Sequence, residues 1–288
     1  MAVMGHPDVA RQRSRLRQSH AARVSTFARI AAMPGSIDGL RTLVTGGTSG
    51  IGAAIVDRLV ADGARVAFTG RDQGRGDDVG ARTGASFIQA DATDELAIVR
   101  SVDDAAANLG GLDALVCSAG VISFESIRDT TPQDWETQLD VNLTAPYLYS
   151  VRCLPLLRQA GGGSIVHISS DAGVWGEQEI GAYSVTKAAL ITLAQMLAIE
   201  AGPSGIRVNV VCPGDILPGM STTTRGRDET GADTSGWRRP PLGRIGEARD
   251  VAGVVSFLLG PDSSFVNGAA ILVDGGMRAS YRAWVANA

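Results

Sequence analysis

Lysine is nearly absent from this 288-residue sequence. Of its 26 basic residues only Lys187 is a lysine, and all the others are arginine. Codon composition alone explains such a bias where the two residues exchange freely on a surface. A position that keeps lysine against the bias is different, because a compact ammonium and a planar guanidinium are not interchangeable at a tight site. Lys187 is therefore the first candidate functional residue.

Long apolar runs, paired cysteines and a positive net charge are absent as well. No eighteen apolar residues stand together, so no membrane span is expected. The net charge of −4 argues against nucleic acid as the main partner. Cys117, Cys153 and Cys212 form no C-x-x-C pair and have no neighbouring histidine, which disfavours zinc and disulfide scaffolds. We expect no bound metal, buried free thiols and a reducing, cytoplasmic environment.

The N-terminal segment differs from the rest of the chain. Residues 1–33 carry six arginines against one acidic residue, Asp8. Three interpretations are open: a targeting peptide, a basic binding arm, or an upstream extension ahead of a start at Met33. We expect residues 1–36 to be a disordered extension and residues 37–288 to form a single domain.

From Leu40 onward, short β-branched runs alternate with helix-length amphipathic segments. Strands are predicted at Arg41–Thr45, Arg65–Thr69, Ser86–Gln89, Ala114–Cys117, Ser164–Ser169, Arg207–Cys212 and Ala270–Val273. Helices are predicted at Gly50–Ala61, Asp94–Asn108, Pro132–Arg158, Ala182–Ala201 and Ala248–Leu259. Strands that are apolar throughout indicate a parallel sheet that is covered on both faces. The sequence therefore predicts a doubly wound α/β fold, with seven parallel strands flanked by helices and a ligand at their carboxyl ends.

A glycine-rich segment, Thr45–Gly52, follows the first predicted strand and opens the first predicted helix. Its glycines permit a tight turn and a close backbone approach to a pyrophosphate, and the helix N-terminus supplies free N–H groups. Strand before and helix after make this string typical of a dinucleotide-binding Rossmann fold.

The end of the second strand bears on which dinucleotide binds. An acidic residue there would accept hydrogen bonds from the adenosine ribose and repel a 2′-phosphate. The sequence places Gly70 at that position and Arg71 after it. An arginine can bind a phosphate, so NADP(H) is favoured over NAD(H). The alternative is that Arg71 is a solvated surface charge and that Asp72 serves the ribose.

Across residues 37–276, the order of motifs resembles the short-chain dehydrogenase/reductase family, in its shorter subtype with a Tyr-x-x-x-Lys site. That site is Tyr183-Ser-Val-Thr-Lys187, and Ser170 precedes the tyrosine by thirteen residues. Asn142, in Leu139-Asp-Val-Asn-Leu143, matches the asparagine of the family's central helix. The segment 266–276 resembles the family's last strand.

The resemblance implies an NAD(P)-dependent oxidoreductase that interconverts a carbonyl and a secondary alcohol by hydride transfer. Tyr183 would be the acid/base, Lys187 would bind the nicotinamide ribose and relay protons, Ser170 would bind the substrate oxygen, and Asn142 would hold a water for the lysine. The cofactor-binding residues would be Gly46, Thr48, Ser49, Gly50, Ile51, Gly52, Arg71, Asp91, Ala92, Cys117, Ser118, Ala119, Gly120, Tyr183, Lys187, Pro213, Gly214 and Ile216.

Three positions, in two places, depart from the family's pattern. Cys117-Ser118 stands where the family usually has two asparagines, so the side-chain hydrogen bonds that brace the sheet there are not kept. Pro218 stands where the family often has a threonine that contacts the nicotinamide amide. We expect these changes to reshape the nicotinamide end of the site without touching the proton-transfer residues.

The Tyr183–Lys187 spacing suits acid–base chemistry. On a helix, residues i and i+4 lie on one face, so both side chains can point at a cofactor. An ammonium about 4 Å from a phenolate is worth up to roughly 4 kcal/mol at an effective dielectric near 20. We therefore expect Lys187 to lower the pKa of Tyr183. His167, by contrast, lies in an apolar run and is expected to be a strand residue rather than a catalytic base.

The substrate and the assembly are less defined by the sequence. Residues 215–245 are expected to form a flap over a small-molecule substrate. Four arginines in it either attract an anionic substrate, or are solvated or paired with Asp228, Glu229 and Asp233: Arg225, Arg227, Arg238 and Arg239. Segment 171–182, with Trp175, is expected to form the opposite wall. The family resemblance implies a homotetramer or a homodimer. The alternative function is a catalytically silent nicotinamide sensor, against which the intact Tyr183 and Lys187 count.

Overall fold

Seven short apolar segments form one parallel sheet in the computed structural model, which describes residues 36–218, Met220 and 240–279. Along the chain its strands are β1 (Arg41–Thr45), β2 (Arg65–Gly70), β3 (Ser86–Gln89), β4 (Ala114–Cys117), β5 (Gly163–Ile168), β6 (Ile206–Pro213) and β9 (Ala270–Val273). A separate two-stranded sheet pairs β7 (Ile216–Leu217) with β8 (Gly246–Glu247). The predicted seven-stranded parallel sheet is confirmed.

Helices cover both faces of the large sheet. They are α1 (Gly50–Ala61), α2 (Gln73–Thr83), α3 (Glu95–Leu109), α4 (Pro132–Leu139), α5 (Ala145–Gln159), α6 (Gly181–Ala201) and α7 (Ala248–Leu259). One π-helical turn, Asp140–Thr144, joins α4 to α5 where the sequence predicted an uninterrupted helix. Helix α2 was not predicted, because it is polar and carries three glycines, and only Gly76 and Val79 in it are buried.

The strand order places a ligand-binding crevice at one edge of the sheet. The order is β3-β2-β1-β4-β5-β6-β9, so the chain reverses its direction of winding between β1 and β4. Two apolar clusters fill the two faces, one centred on Val44, Val116 and Val166, and the other on Leu43, Leu115 and Ile165. The doubly wound Rossmann-type fold is therefore confirmed, and its crevice lies outside the carboxyl ends of the strands.

Helix α6 is long and strongly apolar. The segment Gly181–Ser204 is long and apolar enough to cross a membrane when only length and composition are considered. In the fold, however, its residues Leu190, Ala194 and Leu197 are buried in the core beside the sheet. Burial of this face explains part of the apolar composition, while Val185, Met196 and Ile199 of the same helix are exposed.

Several predictions from sequence lie outside the described residues. Of the predicted extension at 1–36, only Ser36 is described. Of the predicted flap at 215–245, residue 219 and residues 221–239 are not described, and these include Arg225, Arg227, Arg238 and Arg239. The predicted roles of these segments remain predictions.

We predict that Asn209 secures the last strand of the sheet. Its Nδ2 donates to the Val266 carbonyl oxygen at 2.8 Å, and its Oδ1 accepts from the Ala269 N–H at 3.0 Å. Asn209 is fully buried, so Asn209→Ala leaves the Ala269 N–H without its partner and the Val266 carbonyl oxygen with only the longer hydrogen bond from Arg207. The free energy of unfolding is expected to fall by about 1–3 kcal/mol. Chemical denaturation measures this, with the exposed Asn108→Ala as the control. Equal loss in both variants would contradict the assignment.

Candidate active site

The glycine-rich turn after β1 is shaped to admit a ligand against bare backbone. Gly46 has φ of 68°, and a Cβ there would lie 2.6 Å from the Ala119 Cα. A Cβ on Gly52 would collide with the Gly46 carbonyl oxygen. The N-cap residue of α1, Ser49, makes no side-chain capping hydrogen bond, so no side chain occupies the first N–H groups of the helix. These features fit the pyrophosphate of a dinucleotide.

The end of β2 forms the adenosine side of the crevice. A Cβ on Gly70 would collide with the Thr48 side chain, so threonine fills the space that a larger residue would need. A cavity of about 510 Å³ is lined by Thr48, Ser49, Arg71, Asp72 and Arg75. Two arginines thus face the same cavity, beside the loop that would hold the pyrophosphate.

Asp72 has a structural task in this region. Its Oδ1 accepts from the Arg75 N–H at 3.0 Å and so caps helix α2. Its other oxygen lies 3.6 Å from the Arg75 guanidinium. The cap favours the interpretation in which Asp72 starts the helix over the interpretation in which it serves a ribose.

The remaining predicted cofactor residues lie at the same edge of the sheet. The Thr45 hydroxyl accepts hydrogen bonds from the Ser118 N–H at 3.1 Å and the Ala119 N–H at 3.3 Å, and it holds the turn after β4 against β1. This backbone brace operates although side-chain amides are missing at Cys117-Ser118. Of the other predicted positions, Asp91 and Ala92 follow β3, Pro213 and Gly214 lie at the end of β6, and Ile216 begins β7.

Tyr183 and Lys187 lie one turn apart on α6, as predicted. Lys187 is 4% exposed, and its Nζ donates to the Ile168 carbonyl oxygen, at the end of β5, at 2.9 Å. The same Nζ lies 5.5 Å from the centre of the Tyr183 ring. A Cβ on Gly120 would lie 3.5 Å from Nζ, so the turn after β4 reaches the same point. Ser170 follows β5 and is also buried.

Asn142 connects three parts of the site from its place in the π-helical turn. Its Oδ1 accepts from the Val121 N–H, and its Nδ2 donates to the Val121 carbonyl oxygen, both at 2.9 Å. Nδ2 also donates to Thr186 Oγ1 at 3.2 Å, and that hydroxyl donates to the Tyr183 carbonyl oxygen at 2.8 Å. Both amide hydrogens are therefore used in bracing. The predicted water-holding role remains a prediction.

Burial shifts the pKa values of both Tyr183 and Lys187. Burial raises the pKa of Tyr183 to about 12, and a hydrogen bond with Ser170 opposes that rise. Burial lowers the pKa of Lys187 to about 8. Burial is the main influence on the pKa of Tyr183, and the Lys187 ammonium donates its hydrogen bond to Ile168. That Lys187 lowers the tyrosine pKa remains a prediction.

His167 lies in β5 as predicted, and its ring is fully buried. Its Nε2 is 3.0 Å from Ser150 Oγ. Burial lowers the pKa of the imidazole to about 3, so the ring is neutral near pH 7. Its side-chain hydrogen bond is therefore with Ser150 on α5 and not with Tyr183, which agrees with the predicted role as a strand residue.

Sequence reasoning missed Asp171 and Arg278 as members of the site. Ser170 Oγ donates to Asp171 Oδ1 at 3.2 Å, and Arg278 Nε donates to Asp171 Oδ2 at 3.0 Å. Asp171 could have been singled out as a carboxylate next to the predicted serine. Arg278 had no such signal, because 107 residues separate it from its partner.

Comparisons with known proteins agree with this geometry. A family profile described as enoyl-(acyl carrier protein) reductase matches residues 46–278. The chain is 35% identical over 247 residues to 2-(S)-hydroxypropyl-CoM dehydrogenase 3 of Xanthobacter autotrophicus, covering 82% of this chain and 95% of that protein. It is 32% identical over 254 residues to the NADP-dependent (R)-specific alcohol dehydrogenase of Lentilactobacillus kefiri, covering 86% of this chain and 100% of that one.

A solved structure gives the same result for the fold. The crystal structure of a dehydrogenase/reductase from Sinorhizobium meliloti 1021 superposes with a TM-score of 0.77 at 37% identity, covering 84% of this chain and 96% of that one. Fold, site and relatives thus agree, and the chain belongs to the short-chain dehydrogenase/reductase family of NAD(P)-dependent oxidoreductases.

Proposed function

We propose that the protein interconverts a carbonyl and a secondary alcohol on a small molecule, with Tyr183 as the acid/base. The observation that carries this is the buried Lys187 ammonium, which lies one helical turn from Tyr183 and next to the turn at Gly120. The two relatives described above are named as dehydrogenases of alcohols, which supports the same substrate class.

The chemistry assigned to each residue follows from its position. A bound nicotinamide supplies or accepts the hydride. In reduction, Tyr183 donates its phenolic proton to the oxygen that becomes an alcohol, and in oxidation its phenolate accepts that proton. Ser170 binds the same oxygen, and Lys187 places its ammonium near the phenolate and relays protons to and from it. Trp175, which is 46% exposed, offers an apolar surface to the substrate on the wall formed by 171–182.

Turnover with and without the tyrosine hydroxyl tests this function. Tyr183→Phe removes the proton donor and keeps the ring, so we expect NADPH binding within about threefold of the wild type and kcat lower by about 10²–10⁴-fold. The assay follows NADPH oxidation over a panel of ketones, 3-oxoacyl thioesters, sugars and steroids. Tyr147→Phe is the matched control, because that tyrosine is exposed on α5. Cofactor binding without turnover of any carbonyl or alcohol by the wild type would contradict the proposal and favour the sensor.

The proposal includes NADP(H) as the preferred cofactor. Its support is the cavity at the end of β2, where Arg71 and Arg75 face the space beside Gly70 and no carboxylate occupies the Gly70 position. Asp72, the nearest acidic residue, is engaged in capping α2. A 2′-phosphate would be held there by charge-assisted hydrogen bonds, which are the stronger kind.

We predict that Arg71→Ala weakens NADPH binding by about tenfold or more and leaves NADH binding nearly unchanged, because only NADPH carries the 2′-phosphate. Fluorescence titration of each reduced cofactor gives both Kd values. Arg65→Ala is the control, since Arg65 begins the same strand at the opposite edge of the sheet. Equal affinity of the wild type for NADPH and NADH would overturn the preference.

The proposal also includes self-assembly as a homotetramer or a homodimer. Two helices carry exposed apolar side chains: Tyr147 and Val151 on α5, and Val185, Met196 and Ile199 on α6. Apolar side chains repeated along two neighbouring helices are typical of a surface that is covered in an oligomer. We place the assembled enzyme in the cytoplasm, in keeping with its three free, buried cysteines.

A charge placed on this surface is expected to break the assembly. Ile199 is 70% exposed, and Ile199→Glu would bury an unpaired carboxylate at an apolar contact. We expect the mass measured by light scattering after size-exclusion chromatography to fall by at least half. Leu96→Glu, at a leucine that is 67% exposed on α3, is expected to leave the mass unchanged. A monomeric wild type would contradict the prediction.

A further inference from the structure

The last described turn of the chain reaches the active site through one arginine. Arg278 donates from Nε to Asp171 at 3.0 Å and from Nη2 to Glu177 at 3.4 Å, and its guanidinium lies 5.7 Å from the centre of the Trp175 ring. Its backbone N–H donates to Asp274 Oδ2 at 2.7 Å, which anchors the turn to the end of β9. The side chains of Arg278 and Asp171 are only 24% and 13% exposed, so water screens their attraction less than at an open surface.

The other carboxylate oxygen of Asp171, Oδ1, accepts a hydrogen bond from the predicted catalytic serine. Ser170 Oγ donates to Asp171 Oδ1 at 3.2 Å and accepts from the Ala172 N–H at 3.1 Å. A serine hydroxyl has one proton to donate. While the Ser170 hydroxyl donates its hydrogen bond to Asp171, it cannot donate one to Tyr183 or to a substrate oxygen. Asp171 therefore competes with the reaction for a single hydrogen bond.

Arg278 weakens Asp171 as a competitor. A carboxylate paired with a guanidinium is a poorer acceptor toward a third group than an unpaired carboxylate. The charge of Asp171 also acts on Tyr183 directly, since Asp171 and Glu177 both raise the pKa of the phenol, after burial as the main cause. Lys187 and Cys212 are the other titratable groups around the tyrosine. Asp171 thus favours the protonated phenol in two ways, by withdrawing the hydrogen bond of Ser170 from Tyr183 and by its own negative charge. Arg278 weakens both effects.

We propose that Asp171 and Arg278 are a positioning pair for the reaction, which sets how readily Ser170 donates its proton within the site and how readily Tyr183 gives up its own. The proposal rests on the function proposed above. Neither residue touches the reacting atoms in this role, because both act through Ser170 and Tyr183.

Replacing either member of the pair is expected to shift the pH dependence of alcohol oxidation, and the two replacements are expected to shift it in opposite directions. Arg278→Gln leaves the Asp171 charge uncompensated, which favours the protonated phenol. The pH at which kcat/KM for alcohol oxidation is half-maximal should rise by about one pH unit, because oxidation needs the phenolate. Asp171→Asn removes the charge and should lower that pH by a similar amount. The double variant should return close to the wild type, and Arg278→Lys, which keeps the charge, should stay within about 0.3 pH units of it.

A structural role alone would not give this pattern. Arg82→Gln is the control, because it removes an exposed arginine–aspartate pair, with Asp57, on the outer helices. The proposal would be overturned if the pH of half-maximal kcat/KM moved in the same direction in Arg278→Gln and Asp171→Asn, or moved in neither, even if both variants were less stable.

A second measurement separates this proposal from the proposed function. ¹³C NMR of tyrosine Cζ in the NADP⁺ complex reports the phenolate fraction of Tyr183, and the Tyr183→Phe spectrum assigns its signal among the four tyrosines. At one fixed alkaline pH, the fraction should fall in the order Asp171→Asn, wild type, Arg278→Gln. Equal fractions would refute the positioning pair. An enzyme without any carbonyl or alcohol substrate would refute the proposed function and leave this order still testable.

Discussion

The hydrogen bond from Lys187 to the Ile168 carbonyl oxygen is the constraint on which the site depends. It fixes a buried ammonium at the carboxyl end of β5. Helix α6 is thereby tied to the edge of the sheet at the level where Tyr183 and Ser170 come together. Burial of a charge is costly unless the charge is hydrogen-bonded, so this bond and the position of α6 support each other. The single lysine of the chain thus lies at the point where this hydrogen bond and the placement of α6 depend on each other.

The cofactor end of the crevice follows from the same sheet edge. The turn after β1 brings Gly46 against Ala119, and the turn after β4 brings Gly120 against Lys187, so one row of backbone turns connects the phosphate loop to the proton-transfer residues. Thr45 holds these two turns together through backbone N–H groups. The backbone hydrogen bonds to Thr45 therefore keep this edge of the sheet in place, although Cys117 and Ser118 lack the side-chain amides that asparagines would supply there.

Sequence reasoning succeeded where a residue pattern has one structural outcome. Apolar strands separated by helix-length segments predicted the parallel sheet, and the spacing of Tyr183 and Lys187 placed them on one face of a helix. It failed where the outcome depends on residues distant in sequence or on hydration. The Arg278–Asp171 pair joins segments 107 residues apart, and the polar helix α2 has almost no apolar face to detect. The raised pKa of Tyr183 was missed because a pairwise distance argument contains no desolvation.

Proton transfer at Tyr183 depends, on this account, on a compact, buried ammonium at position 187 that is able to lose a proton. The most direct test is the single-turnover rate of hydride transfer in Lys187→Arg, which keeps the positive charge but replaces the compact ammonium with a planar guanidinium that does not deprotonate. We predict a properly folded variant whose rate is lower by about 10²-fold or more. A folded Lys187→Arg enzyme with a rate close to that of the wild type would contradict the account.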